Sequence, residues 1–348
     1  MGTRGVLSAP WTRGLQAPWR QGACAAALAQ RVLSTGAAAR QASPTAPPPN
    51  TPYHIFDRDS KVQQKTRAAL RRPATADGNA LADESQRGTQ SRFTDYVRDA
   101  AAQDIAERIA DVKQQFPTIV ELGAGAGHLR HHLDVGSTGV QKLVMCDTSV
   151  EIERRVVDEE LLPFEENSLD CIIASGSLHW TNDLPGALIQ IQRALKPDGV
   201  FIGYMCGGDT LFELRTSFLL AEQERHGGLS VHVSPMTDTG DVSSLLTRAG
   251  FTLQTVDKDE ITVNYPSMFE LMRDLQDMGE SNAVINRKPF LGRDTVLAAA
   301  ATYQTLHGTE DHVPATYSTI YMIGWKPSPS QPKPLERGTA THSLKDAL

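Results

Sequence analysis

The chain has 348 residues, 40% of them hydrophobic, enough for a real core in one large domain or two small ones, and it reads as a soluble globular protein. Its 34 basic and 41 acidic side chains give a net charge of −7, which argues against nucleic acid as a partner, since that needs clustered Lys and Arg. No 18-residue window is both uncharged and strongly apolar, so a transmembrane segment is not expected and any membrane contact would be peripheral.

Residues 1–56 are a different material from the rest. They carry Arg4, Arg13, Arg20, Arg31 and Arg40 among many Ala, Ser and Gly, with no Asp or Glu. An acid-free, Arg-rich start without a long apolar stretch is the signature of a mitochondrial transit peptide rather than a secretory signal. Arg31-Val-Leu-Ser suits cleavage between Leu33 and Ser34. That would remove four arginines, leaving 30 of the 34 basic side chains against 41 acidic ones, a net −11. The expected destination is the mitochondrial matrix.

Residues 41–53 form a Pro- and Thr-rich linker, and 57–117 read as an N-terminal helical extension interrupted by a polar loop at 70–92. Ile55 to Leu70 suits a short basic helix. Tyr96 to Val112 places Val97, Ala101, Ile105 and Ile109 on one helical stripe.

At Thr118 the chain reads Thr-Ile-Val-Glu-Leu-Gly-Ala-Gly-Ala-Gly-His-Leu, a buried strand turning sharply around a nucleotide-like cofactor. Gly123, Gly125 and Gly127 let the backbone turn tightly and approach a ligand, with a following helix aiming free N–H groups at it. Dinucleotide enzymes use a related turn with an acid about 20 residues on, a place that Asp147 fills. Two details favour S-adenosylmethionine instead: the third glycine comes one residue early, and Glu121 stands two residues before the first. That cofactor carries an amino group and a ribose diol but no pyrophosphate, so Glu121 suits its methionine end and Asp147 its ribose.

Apolar runs at 118–122, 142–146, 169–174 and 199–203 alternate with helical segments such as Leu184 to Leu195, which Lys196-Pro197-Asp-Gly stops. The alternation predicts an α/β fold, a doubly wound, mostly parallel seven-stranded sheet spanning 118–326, with a polar tail at 327–348. Tyr317 to Trp325 suits the last strand. Leu211 to Arg225 and Tyr265 to Thr305 look helical and do not fit simple alternation. As insertions after late strands, at about 205–235 and 264–310, they are expected to roof the site.

Candidate catalytic residues follow from position. His179 and Trp180 come after the fourth strand, where His179 can act as base and Trp180 can wall the pocket or anchor the next helix. Asp209 and Glu213 can pair with a guanidinium in bidentate geometry or simply cap a helix. Asn264 and Tyr265 either face the same cavity or shape a turn. The cysteines at 24, 146, 171 and 206 lack zinc spacing, and Cys146 and Cys171, at the ends of apolar runs, suit reduced core positions. His128, His132 and Asp134 have the composition of an iron site, but a solvated helix face is the plainer reading, and no metal is expected.

The motifs in order resemble class I S-adenosylmethionine-dependent methyltransferases: Glu121-Leu-Gly-Ala-Gly-Ala-Gly, then Asp147, then Asp158-Glu-Glu-Leu-Leu-Pro-Phe, Ser177-Leu-His-Trp and Leu195-Lys-Pro-Asp-Gly-Val-Phe. The resemblance implies that Asp158 and Glu159 meet the adenine and that Ser175, ending the fourth strand, joins the cofactor site. A narrower set is Ile55-Phe-Asp-Arg-Asp, Gly207-Gly-Asp-Thr-Leu-Phe-Glu-Leu-Arg, Val263-Asn-Tyr-Pro-Ser through Gly279-Glu-Ser-Asn, Arg293-Asp-Thr-Val and Val313-Pro-Ala-Thr-Tyr. It resembles the mitochondrial complex I assembly factors of the arginine-hydroxylase type. That resemblance implies hydroxylation of an arginine on a matrix-arm subunit of NADH:ubiquinone oxidoreductase, work beside other assembly factors, and peripheral contact with the matrix face of the inner membrane. A methyltransferase acting on a protein, carboxyl or small-molecule substrate, and a noncatalytic assembly scaffold, stay open as alternatives. A fluorescent protein carrying residues 1–56 is expected to accumulate in mitochondria; a diffuse cytosolic signal would remove the transit-peptide reading.

Overall fold

The computed structural model describes residues 7–8, 54–70, 95–133, 139–148 and 155–332. The expected cleavage site, the 70–92 loop past Leu70, Asp134 and the tail beyond Pro332 lie outside the described residues. Seven strands from Thr118 onward form one sheet: β1 Thr118–Leu122, β2 Lys142–Asp147, β3 Arg155–Val156, β4 Leu169–Ser175, β5 Leu195–Cys206, β6 Thr252–Tyr265 and β7 Val313–Trp325. Their spatial order is β6-β7-β5-β4-β1-β2-β3, and the two-residue stretch Leu7–Ser8 pairs along the outer edge of β6 at Val263 and Asn264. All pairings are parallel except those of β7, which runs antiparallel between β5 and β6.

The strands build two cores because successive side chains point to opposite faces. Val120, Ile172 and Phe201 face one side and meet Leu188 and Ile191 of α4 (Leu184–Ala194) and Val242 and Leu246 of α6 (Thr239–Ala249). Ile119, Ile173 and Ile202 face the other and meet Ala101, Ile105 and Ile109 of α2 (Tyr96–Asp111), the apolar stripe read from the sequence. A third core joins α5 (Phe212–His226), α7 (Met268–Asp277) and α8 (Arg293–Leu306) to the ends of β6 and β7 around the fully buried Tyr265 and Tyr303. These helices fall within the insertions expected, at about 205–235 and 264–310, to roof the site. At the other side of the opening lies α1 (Arg58–Leu70), matching the short basic helix.

Three elements differ from expectation. α4 ends at Ala194 and β5 begins at once, the turn being taken inside that strand, where Asp198 has φ +66°. β6 was not foreseen as a strand of this length, because its faces carry Asp257, Lys258, Asp259 and Glu260 and only Val263 and Tyr265 of its residues are buried. α6 was not foreseen either: its interior holds Ser and Thr, although Asp238 caps its start and Gly250, at φ +90°, ends it. After the glycine turn only the four-residue α3 (Leu129–His132) is described. Among the described residues no helix is long and apolar enough to cross a membrane.

Ile172 is fully buried in a central strand, so Ile172→Ala should lower unfolding free energy by about 2–5 kcal/mol. Leu297→Ala, at a side chain 63% exposed on α8, should cost under about 0.5 kcal/mol. Denaturant midpoints check the contrast; equal costs would mean the sheet is not packed as described.

Candidate functional site

The sheet changes direction at β1: the chain runs outward to β2 and β3, then returns to β4 on the other side. In open α/β sheets the crevice at such a point, beyond the carboxyl ends of the strands, is where ligands bind. The turn after β1 and the turn after β4 form its walls. Gly123 has φ +67°, and a Cβ there would run into the Ser177 side chain; Gly125 has φ +48°, and a Cβ would stand 2.5 Å from Nη1 of Arg98. Both positions demand glycine for conformation and for space. Gly127 closes the turn, its N–H donating to the Ala124 carbonyl at 2.8 Å.

The expected acids converge on this crevice. Glu121, 1% exposed, accepts from the Ser175 hydroxyl at 2.8 Å. Asp147, 2% exposed at the end of β2, accepts from the Gly125 N–H at 2.9 Å through Oδ2. Asp158 and Glu159 follow β3, and the Arg58 guanidinium of α1 donates to them at 2.6 and 2.7 Å. Lys65 of α1 lies 3.4 Å from Asp147 and 4.0 Å from Glu159. Glu121 thus meets Ser175, Asp147 meets the glycine loop at Gly125, and α1 bridges Asp147, Asp158 and Glu159. The carboxylates of Glu121, Asp147, Asp158 and Glu159 are acceptors of the kind a nucleoside with amino and hydroxyl donors needs, with Arg58 and Lys65 paired to three of them.

Beside the crevice is a cavity of about 410 Å³, lined at one end by Arg98, Gly176, His179, Trp180 and Glu280 and further out by Leu214, Phe218, His232 and Met272. Glu280 organises the inner end. It accepts from Lys61 at 2.8 Å, Arg98 at 2.8 Å and the Trp180 indole at 2.6 Å, and the Nε2 of His179 lies 3.4 Å away. Burial pushes the Glu280 carboxyl up, but Lys61, His179 and Arg98 outweigh it and hold the group well below the usual range. Burial also pulls the Lys61 ammonium down to about 8 against the opposing pull of Glu280, and lowers His179. Lys61 additionally covers the Trp180 ring at 3.7 Å.

Of the three catalytic candidates only His179 lines the cavity. Asp209 is exposed and paired with Lys258 at 2.6 Å, outside the cavity, so it neither faces a guanidinium there nor caps α5, whose N-cap is Leu211. Glu213 is buried and accepts from the amide and hydroxyl of Thr316, tying α5 to β7. Tyr265 is fully buried behind the wall, its hydroxyl between those of Tyr96 and Tyr317; Tyr317 is the one that reaches the cavity. The Trp180 indole both walls the cavity and anchors the segment, against Phe56 at 5.3 Å. His128 and His132 share one oxygen of Asp99, at 3.1 and 3.0 Å, a local polar cluster between α2 and α3. Among the described residues no group of three His, Cys, Asp or Glu is arranged to hold a metal ion. Sequence reasoning missed Lys61, Arg98 and Glu280. Arg98 was hidden in a helix read for its apolar stripe, and Glu280 in a string quoted only for resemblance.

A sequence profile of the methyltransferase domain matches residues 93–257. The chain is 46% identical over 339 residues to "Arginine-hydroxylase NDUFAF5, mitochondrial" of Homo sapiens, covering 94% of this chain and 91% of that protein. The protein of the same name in Danio rerio is 47% identical over 305 residues, 84% of this chain and 89% of its own length. A more distant relative is "Malonyl-[acyl-carrier protein] O-methyltransferase" of Xylella fastidiosa, 33% identical over 54% of this chain and 61% of that one.

The outer cavity wall carries its own charge cluster, in which Glu222 accepts from Ser230 and from Lys288 at 2.6 Å and lies 3.0 Å from His232. Burial raises this carboxyl, but the bonds from Lys288, Ser230 and His232 bring it down to about 2 from the ordinary 4.5. A lowered carboxyl stabilises the fold fully above its unfolded value and loses that contribution as pH falls toward the folded one. The melting-temperature gap between wild type and Glu222→Gln should therefore be widest near neutrality and narrow between about pH 5 and pH 3. A gap independent of pH would show that the ion cluster does not form.

Proposed function

The chain belongs to the family of the mitochondrial arginine hydroxylase NDUFAF5, and we propose that it hydroxylates an arginine on a matrix-arm subunit of complex I during assembly, at the matrix face of the inner membrane. The observation that carries this reading is similarity along nearly the whole chain, 94% of it at 46% identity, so the match extends well beyond the glycine turn. The cavity chemistry agrees with such a substrate. The apolar stem of an arginine side chain can lie along Leu214, Phe218 and Met272.

The crevice is proposed to hold S-adenosylmethionine, with Glu121 on its amino group, Asp147 on the ribose hydroxyls, and Asp158 and Glu159 toward the adenine. Bound there, the compound supplies a sulfonium with a transferable methyl group. The chain's own residues would position it: Ser175 orients Glu121, and the Gly125 amide holds Asp147. A second reading, a genuine methyltransferase on a carboxyl or protein substrate, is favoured by the match to the methyltransferase domain and by the likeness to the malonyl O-methyltransferase.

Mass spectrometry of complex I matrix-arm subunits from cells lacking this protein separates the readings. The expected result is an arginine-containing peptide lighter by one oxygen atom than in control cells. Loss of one methylene instead would establish the methyltransferase. No mass change alongside failed assembly would leave a scaffold role and sink both enzymatic readings.

A further inference from the structure

Helix α5 has its polarity inside out. A helix on a protein surface ordinarily turns an apolar stripe to the core and polar residues to water. In α5 Glu213, Ser217 and Glu222 are buried, whereas Phe212, Leu219 and Leu220 are 41, 42 and 43% exposed. Thr216 and Gln223 are exposed with them, at the three- and four-residue spacing that sets side chains in one line along a helix. The buried acids are already held, Glu213 by Thr316 and Glu222 by Ser230 and Lys288. The outer stripe is uncharged and apolar at its centre, and the packing of a single chain does not account for it.

That stripe is symmetric about the midpoint between Leu219 and Leu220. Thr216 and Gln223 stand at equal distances from it along the sequence, as do Arg215 and Glu224, and Phe212 and Gly227. Each of these pairs is complementary. Thr216 offers a hydroxyl and Gln223 an amide, while Arg215 and Glu224 carry opposite charges, the Glu224 side chain well exposed. Phe212 presents an exposed ring, and Gly227 has no atom within 4 Å of where a Cβ would stand. When two antiparallel helices are related by a two-fold axis, residues equidistant from the axis face one another, and every contact is made twice. We propose that α5 pairs in this way with α5 of a second copy of the chain, the axis passing between Leu219 and Leu220.

The leucines of both copies then close the centre, each Phe212 ring lies over the open backbone at Gly227, and Arg215 meets Glu224 on either side. An interface built from one helix of each copy falls at the small end of specific contacts, below about 1,200 Å² in total, so the dimer is a reversible one. A lipid surface fits the stripe less well, because interfacial helices flank their apolar face with Lys and Arg, and here Glu224 stands beside Arg225. The pairing uses neither Leu214 nor Phe218, the α5 residues that line the cavity, and so does not depend on the activity assigned there.

Sedimentation equilibrium of the full chain over a range of micromolar concentrations tests the pairing. The weight-average mass should rise from the 37.9 kDa of one chain toward twice that value as concentration increases. Leu219→Glu, at an exposed position, should keep the monomer mass throughout with its circular dichroism unchanged. Arg215→Glu and Glu224→Arg should each raise the dissociation constant at least about threefold, and the two together should restore it, since the opposite charges have only changed places. A wild type that stays monomeric overturns the proposal and leaves the stripe to another protein or to a membrane. A dimer indifferent to Leu219→Glu overturns it as well, because that dimer forms through another face. Single charge reversals that weaken the dimer without recovery in the double variant overturn the register about Leu219 and Leu220.

Discussion

A buried carboxylate can be kept only if cations and donors surround it, and in this protein that requirement joins parts of the chain far apart in sequence. Glu280, after α7, meets Lys61 from α1, Arg98 from α2 and Trp180 from the turn after β4, all within 2.8 Å, with His179 beside them. Remove the carboxylate and Lys61 and Arg98 both lose a charged partner in the same place; remove either cation and the acid is left short. The roof, the N-terminal extension and the methyltransferase-like sheet are therefore held in one arrangement by a single polar knot. The cavity lies where they meet, so its inner end is fixed by electrostatics and its outer walls by apolar packing of Leu214, Phe218 and Met272.

Much of this site could be read from the sequence because its determinants are local. A strand that ends in Glu121 and turns through Gly123 and Gly125 leaves a backbone signature no other residues could supply, and the structure puts positive φ at both glycines. Asp147 was legible for a related reason: parallel strands start and stop in step, so an acid closing the next apolar run must arrive beside the same turn, and it bonds the Gly125 amide. The sheet followed from alternation, and the α2 stripe from helical spacing. Residues whose meaning depends on partners far away were invisible. Nothing near Glu280 or Lys61 in sequence announces that they meet 219 positions apart. Asp209 shows the converse: a carboxylate in an evocative local string, spent in the fold on a surface pair with Lys258. β6 escaped for a physical reason too, since an antiparallel strand near the sheet's edge with one solvated face carries charges that mask its alternation.

The cover formed by α1 has an electrostatic logic separate from packing. The crevice gathers Glu121, Asp147 and Glu159 out of water, and like charges so placed repel unless something cationic shares the space. Arg58 and Lys65 provide that: one forks onto Asp158 and Glu159, the other stands between Asp147 and Glu159. A ligand with hydroxyl and amino donors must therefore exchange its donors for those of Lys65 at Asp147 instead of entering an unclaimed site. Its net gain is smaller than the sum of its hydrogen bonds, since each new bond replaces one already made. Arg58 also donates to the Trp180 carbonyl, and Lys61 of the same helix covers the Trp180 ring. Any displacement of α1 that lets a ligand reach Asp147 thus loosens the cavity wall at Trp180 and withdraws one cation from Glu280. One helix thus carries both the cations that pair the crevice carboxylates and those that pack on Trp180 and Glu280.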